Sequence, residues 1–213
     1  MTKNYFWTSS QEKEIPFDPM LRKATPLMRN IYYGLVPLME SQSLQNSQVQ
    51  TFFASRHGEL ESTFEFLKGV SQRELARPFL FQNSLHHSTN GFTSQKFKLM
   101  GPTYSICAVN DPSLEVLFAG LMQNQITPEA TLFMMGESFP DEIRDHTPHS
   151  CENNFEVLFM DRNSVNKISI SREVKVDLEV SSFSQFYEII EAQKQITFKI
   201  KNFNMNFLFA GTH

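Results

Sequence analysis

Apolar residues recur along this chain in two rhythms. Between Pro26 and Met39 they fall at helical spacing, with Leu27, Ile31, Leu35, Leu38 and Met39 on one face. Thr25-Pro26 supplies the start of that helix, and Pro37 lies inside it, where proline kinks or shortens a helix. Short apolar runs at Val49–Ala54, Tyr104–Val109, Ala130–Met135 and Phe155–Met160 read instead as buried strands. An amphipathic helix is predicted through Leu60, Phe64, Leu67 and Val70, and another from Ser113 to Gln123. Phe79–Phe81 is a short aromatic run, and the polar stretch from Asn83 to Phe97 has helical character.

Strands that alternate with helices predict an α/β fold, with a mixed, mostly parallel sheet covered by helices. After Lys167 the pattern changes to two alternating strand-like runs, a helix near Phe183–Ala192, and strands at Ile196–Ile200 and Asn206–Phe209. The organisation read from this is one domain over 1–213, with a core at 20–162 and an extension at 163–213 of unassigned role.

Composition narrows the partners. The 213 residues carry a net charge of −4 with scattered Lys and Arg, which argues against nucleic acid. The absence of a long uncharged apolar run or a signal-peptide pattern leads to an expectation of no membrane span and a cytoplasmic protein. The 21 Phe and 10 Met either fill a core or build an adaptable apolar surface for a partner or a lipid-like chain.

Few residues offer chemistry. Cys107 sits in an apolar strand, where burial is expected to keep it inert, and Cys151 lies in a polar loop. His146, His149 and Cys151 lack a fourth ligand at suitable spacing, so neither metal nor cofactor is predicted. His86 and His87 are adjacent and diverge by about 100° on a helix, which suits structural or interface bonds rather than one shared site. His57, next to Arg56 and near Glu59, is expected to brace a strand-to-helix turn.

The segment Gly101–Asn110 reads as a glycine turn, a short strand and a residue at the head of a helix opened by Asp111 and Pro112. Side chains at such junctions meet free backbone N–H groups, and many enzymes place a nucleophile there. The segment resembles the nucleophile elbow of the β-ketoacyl synthases, of the thiolase superfamily, which have cysteine at the position of Asn110. Pro78–Phe81 leading through Ser84-Leu85-His86-His87 to Gly91, and Ala130–Glu137, are similar to segments flanking that elbow. A narrower resemblance is to short ketoacyl-synthase-like chain length factors of bacterial aryl polyene and related polyketide gene sets. It rests on Ser55-Arg56-His57-Gly58-Glu59, on the Ser84, His86, Gly91 motif, and loosely on Gly136–Pro140.

The resemblance implies a thiolase-like N-terminal half and a vestigial elbow. An asparagine amide cannot form an acyl thioester, and the second half that supplies two catalytic histidines to a full enzyme has no counterpart here. Asn110 then either caps its helix or polarises a thioester or enolate oxygen. The implied partner is an active ketosynthase in a heterodimer, which extends acyl groups borne on acyl carrier protein. By the same resemblance the dimer pairs the strand Thr103, Tyr104, Ser105, Ile106, Cys107, Ala108 and Val109, with His86 and His87 at the interface. Phe79, Leu80 and Phe81 then wall the partner's acyl tunnel. Two other readings stay open: a stand-alone acyl-thioester enzyme with an unfamiliar nucleophile, and a homodimeric structural or regulatory protein.

Overall fold

A computed structural model describes residues 19–72, 77–107, 112–144, 154–162, 165–171, 188, 195–200 and 203–209. Its central sheet holds β1 (Gln50–Ser55), β2 (Thr103–Cys107), β3 (Thr131–Glu137) and β4 (Asn154–Met160), in the order β2-β1-β3-β4. β2 and β3 both run parallel to β1, and β4 runs antiparallel to β3. The predicted mixed, mostly parallel sheet is therefore present.

Side-chain alternation sends the two faces of this sheet into two cores. Phe52 and Ala54 of β1 pack with Phe133 of β3 and with Val116, Leu117 and Leu121 of α5 (Pro112–Ile126). Phe53 packs on the opposite face with Leu132, Met134 and Phe155, under Leu27, Ile31, Leu35 and Leu38 of α1 (Pro26–Gln42). Gly120 lets α5 lie close to the sheet, because a Cβ at that position would run into the Phe133 ring.

α1 begins as its sequence predicts, with the Thr25 hydroxyl accepting the Met28 N–H at 3.1 Å. It continues through Pro37 to a left-handed Ser43. α2 (Leu60–Ser71) follows β1, but the apolar stripe that predicted it is not fully covered. Leu67 is 58% exposed and Val70 also faces solvent. The aromatic run forms α3 (Pro78–Asn83), which opens on a proline suited to the first helical turn. The polar stretch after it breaks at Ser84–His87 and resumes as α4 (Ser88–Phe97), beside α1 and the β1–β2 edge. A short α6 (Asp141–Arg144) follows β3. In the tail, β5 (Val165–Ser171), β6 (Gln195–Ile200) and β7 (Phe203–Phe209) make a separate antiparallel sheet in the order β5-β7-β6.

Candidate functional site

β1 and β3 end side by side, and the Ser55–Glu59 motif turns away there into α2. Ligands of open α/β sheets gather outside such carboxyl ends. Gly58 makes the turn possible with φ +66°, and its bare Cα faces the His86 ring. A Cβ there would stand 3.1 Å from His86 Nδ1. The same nitrogen shares a 3.1 Å hydrogen bond with the Ser55 hydroxyl, so His86 of the second motif is locked onto the first.

Glu137, at the end of β3, closes the turn from the other side. Its carboxylate accepts the N–H groups of Arg56 and His57, the latter at 3.0 Å, and lies 3.6 Å from His57 Nδ1. Burial raises its pKa, opposed by the two amides and by the charges of His57 and Arg56. The His57 ring also meets Phe139 edge-on, 5.3 Å between centroids. His57 thus braces the strand-to-helix turn, as its sequence context suggests.

Glu59 does more than open α2. It occupies the N-cap position without capping, and its buried carboxylate instead accepts the hydroxyls of Thr25 and Thr89, each at 2.6 Å. Those two bonds tie the heads of α1, α2 and α4 to one group. Burial lifts the Glu59 pKa to about 7 despite the two hydroxyls, and its Oε2 has no hydrogen-bond partner. A carboxyl in this state holds a proton near neutral pH. Beside it, the Ser138 hydroxyl donates to Glu61 Oε2 at 3.0 Å.

The other predicted residues fall in two further places. Phe79 and Phe81 are 42% and 53% exposed on α3, Leu80 is partly buried, and the Phe81 ring lies 5.5 Å from that of Phe66 on α2. Thr103–Cys107 is an edge of the sheet, with no strand on its outer side among the described residues. The ladder bonds Thr51 N to Pro102 O, so by parallel alternation Tyr104 and Ile106 bond to β1. Thr103, Ser105 and Cys107 therefore aim their backbone groups outward. Asn90, fully buried, donates to the Tyr104 carbonyl at 2.6 Å and pins α4 to this strand.

One expectation changes. Cys107 is exposed rather than buried, because β2 is an edge strand and the side chains of Thr103, Ser105 and Cys107 are left largely uncovered. His86 turns its ring toward Ser55 in its own chain, whereas His87 is exposed. Ala108, Val109, Asn110, His146, His149 and Cys151 lie outside the described residues. The sequence reading missed Glu137, Thr25 and Thr89 as partners of the motif. The available signal was Glu59 itself, since a carboxylate at the head of an amphipathic helix that follows a buried strand needs donors from elsewhere in the chain.

This frame is that of the thiolase-like α/β proteins. One solved structure that it resembles is a chain in a ketosynthase (ApeO) in complex with its chain length factor (ApeC) from Xenorhabdus doucetiae, at 16% identity and a TM-score of 0.65. The match covers 92% of this chain and 83% of that one, so the two are of similar length. The chain belongs to the family of the β-ketoacyl synthase N-terminal domain, whose model matches residues 4–184. The ishigamide ketosynthase/chain length factor is matched at 18% identity and a TM-score of 0.42, over 54% of this chain and 36% of that one. No curated protein matches the sequence.

Proposed function

We propose that this chain is a non-catalytic chain length factor, which pairs through β2 with an active ketosynthase and shapes the acyl tunnel of that partner. The observation that carries the reading is the open edge of β2, with Thr103, Ser105 and Cys107 presenting unpaired backbone groups among the described residues. Such an edge is a template for another strand. A two-fold axis through Ser105 would set Thr103 opposite position 107 of an antiparallel partner strand and join two sheets into one.

Three further points support the role. A chain of similar length and fold occurs in a complex of a ketosynthase with its chain length factor. Asn110 carries an amide where acyl transfer needs a thiol. Phe79 and Phe81 are exposed, bulky and held on a proline-started helix, which suits a wall against a growing acyl chain. The acyl groups would reach the complex on acyl carrier protein, in a polyketide-like pathway of the aryl polyene kind in the cytoplasm. No helix among the described residues is long and apolar enough to cross a membrane.

Co-expression with the ketosynthase encoded nearest to it, followed by product analysis of Phe79→Ala, Leu80→Ala and Phe81→Ala complexes, tests the role. Longer or broader products support it, and unchanged products in all three count against it. One observation favours a second reading: exposed Cys107 offers an accessible thiol. If the chain transfers acyl groups by itself, the purified protein turns over acyl thioesters and Cys107→Ser abolishes this.

A further inference from the structure

Three glycines of this chain answer to a constraint within it. Gly58 has a left-handed φ, a Cβ at Gly101 would strike the Val49 backbone, and one at Gly120 would strike the Phe133 ring. Gly91 answers to none. It stands exposed, one turn into α4, and a Cβ there would meet nothing within 4 Å. Its φ is not left-handed, so alanine fits its backbone as well. Glycine weakens a helix interior relative to alanine, and no contact among the described residues offsets that at Gly91. Gly69 of α2 is likewise unopposed. What sets Gly91 apart is its place beside the open edge of the sheet.

That place is fixed by its neighbours. Asn90 donates to the Tyr104 carbonyl at 2.6 Å, and one turn beyond Gly91 the Ser94 hydroxyl lies 3.2 Å from that of Thr103. Residues three apart share a helix face, so Gly91 and Ser94 look to the same side. The Ser94 contact shows that Thr103 turns its side chain to the α4 side of the sheet, and alternation along β2 puts Ser105 and Cys107 there too. These three side chains are small and exposed. α4 and the edge strand therefore form one surface, and it is lowest at Gly91.

We propose that Gly91 is the point of close approach in the heterodimer, where the partner ketosynthase lays the helix flanking its own pairing strand across α4. This rests on the chain length factor reading, in which a two-fold axis passes through Ser105. Elements beside such an axis meet their counterparts, and the separation of two crossing helices is set by the side chains at the contact. A side chain at position 91 would hold the helices apart, and with them two strands that must come within about 4.8 Å to pair. Gly91 thus decides which partner fits.

The test compares Gly91→Ala and Gly91→Leu with the natural chain. Glu40→Leu, at the exposed end of α1, controls for an added apolar side chain. Thermal unfolding is read on the free chain, and affinity by titration against the purified ketosynthase encoded nearest to it. Gly91→Ala should raise the unfolding midpoint by about 2–4 °C, since nothing in the chain opposes the added methyl. The same substitution should weaken the complex, and Gly91→Leu should weaken it by about tenfold or more while remaining folded. Stability and assembly then move in opposite directions. Gly91→Leu binding as tightly as the natural chain would overturn the inference and leave the heterodimer standing. A lowered midpoint for Gly91→Ala would also overturn it, because the glycine would then serve the fold. So would an equal loss of affinity in Glu40→Leu, which would assign the effect to added apolar surface. A natural chain that binds no ketosynthase defeats the heterodimer reading itself, and this inference with it.

Discussion

Cys107 stands directly across the β1–β2 ladder from Ser55, and the two differ sharply in surroundings: Ser55 is fully buried and Cys107 is exposed. One step along the sheet thus passes from an interior position held by His86 to an open edge. If that edge is where a partner strand pairs, Cys107 reports on pairing. In a Cys151→Ser background, iodoacetamide should modify Cys107 readily in the free chain. In the ketosynthase complex the rate should fall by about tenfold or more, because a paired strand excludes solvent. Equal rates in both states would show that the edge stays open.

Glu59 gives a pH dependence with a definite sign. Its folded pKa of about 7 lies above the ordinary value of 4.5, so the folded state holds the proton more tightly than the unfolded one. Its contribution to stability is therefore greatest below about pH 4.5 and is lost as pH rises through 7. Glu59→Gln keeps an oxygen for the Thr25 and Thr89 hydroxyls and removes the titration. Relative to the natural protein, the variant should gain stability from pH 5 to pH 8, by an amount on the order of 3 kcal/mol. Urea unfolding at several pH values reads this difference directly, and parallel curves for the two proteins would refute it.

Gly58 tests how tightly the two motifs are joined. Alanine there meets both a left-handed backbone and the His86 ring at 3.1 Å. Gly58→Ala should cost about 1–3 kcal/mol, by backbone strain and by displacing His86 from Ser55. The His86 ring resonances in NMR spectra should shift with the loss. Thermal unfolding that matches the natural protein would mean the turn is looser than its geometry indicates.

The aromatic residues of α3 should separate stability from function. Phe79→Ser and Phe81→Ser remove exposed rings and should change stability by no more than about 0.5 kcal/mol. Phe53→Ala empties a fully buried site between α1 and the sheet and should cost about 3–5 kcal/mol. Chemical denaturation distinguishes these outcomes. A large loss at Phe79 or Phe81 would assign them to the core.

Much of this architecture could be read from local pattern. Leu27, Ile31 and Leu35 announce α1 by period, and continuous apolar runs announce β1, β3 and β4, because both faces of those strands are covered. β2 shows where pattern stops. Its residues look as apolar as those of β1, yet its position at the edge leaves Cys107 exposed, and edge position depends on strand order rather than composition. The stripe of α2 is similar: Leu67 and Val70 keep helical spacing without being covered by the chain. At the site, Ser55–Glu59 was visible as a motif and His57 as its brace. The carboxylate of Glu137 and the hydroxyls of Thr25 and Thr89 come from distant segments, and spacing in sequence carries no trace of such contacts.

The most direct test of the account replaces Ser105 with proline. Its N–H points away from β1, so proline removes a donor from the open edge without breaking the β1–β2 ladder. Tyr104→Pro, which does break that ladder, serves as the destabilised control. Native mass spectrometry of the chain co-expressed with its ketosynthase should show a one-to-one complex for the natural sequence. It should show none for Ser105→Pro, although that variant remains folded by circular dichroism. A Ser105→Pro chain that still forms the complex, or a natural chain that forms none, would contradict the pairing on which the proposed function depends.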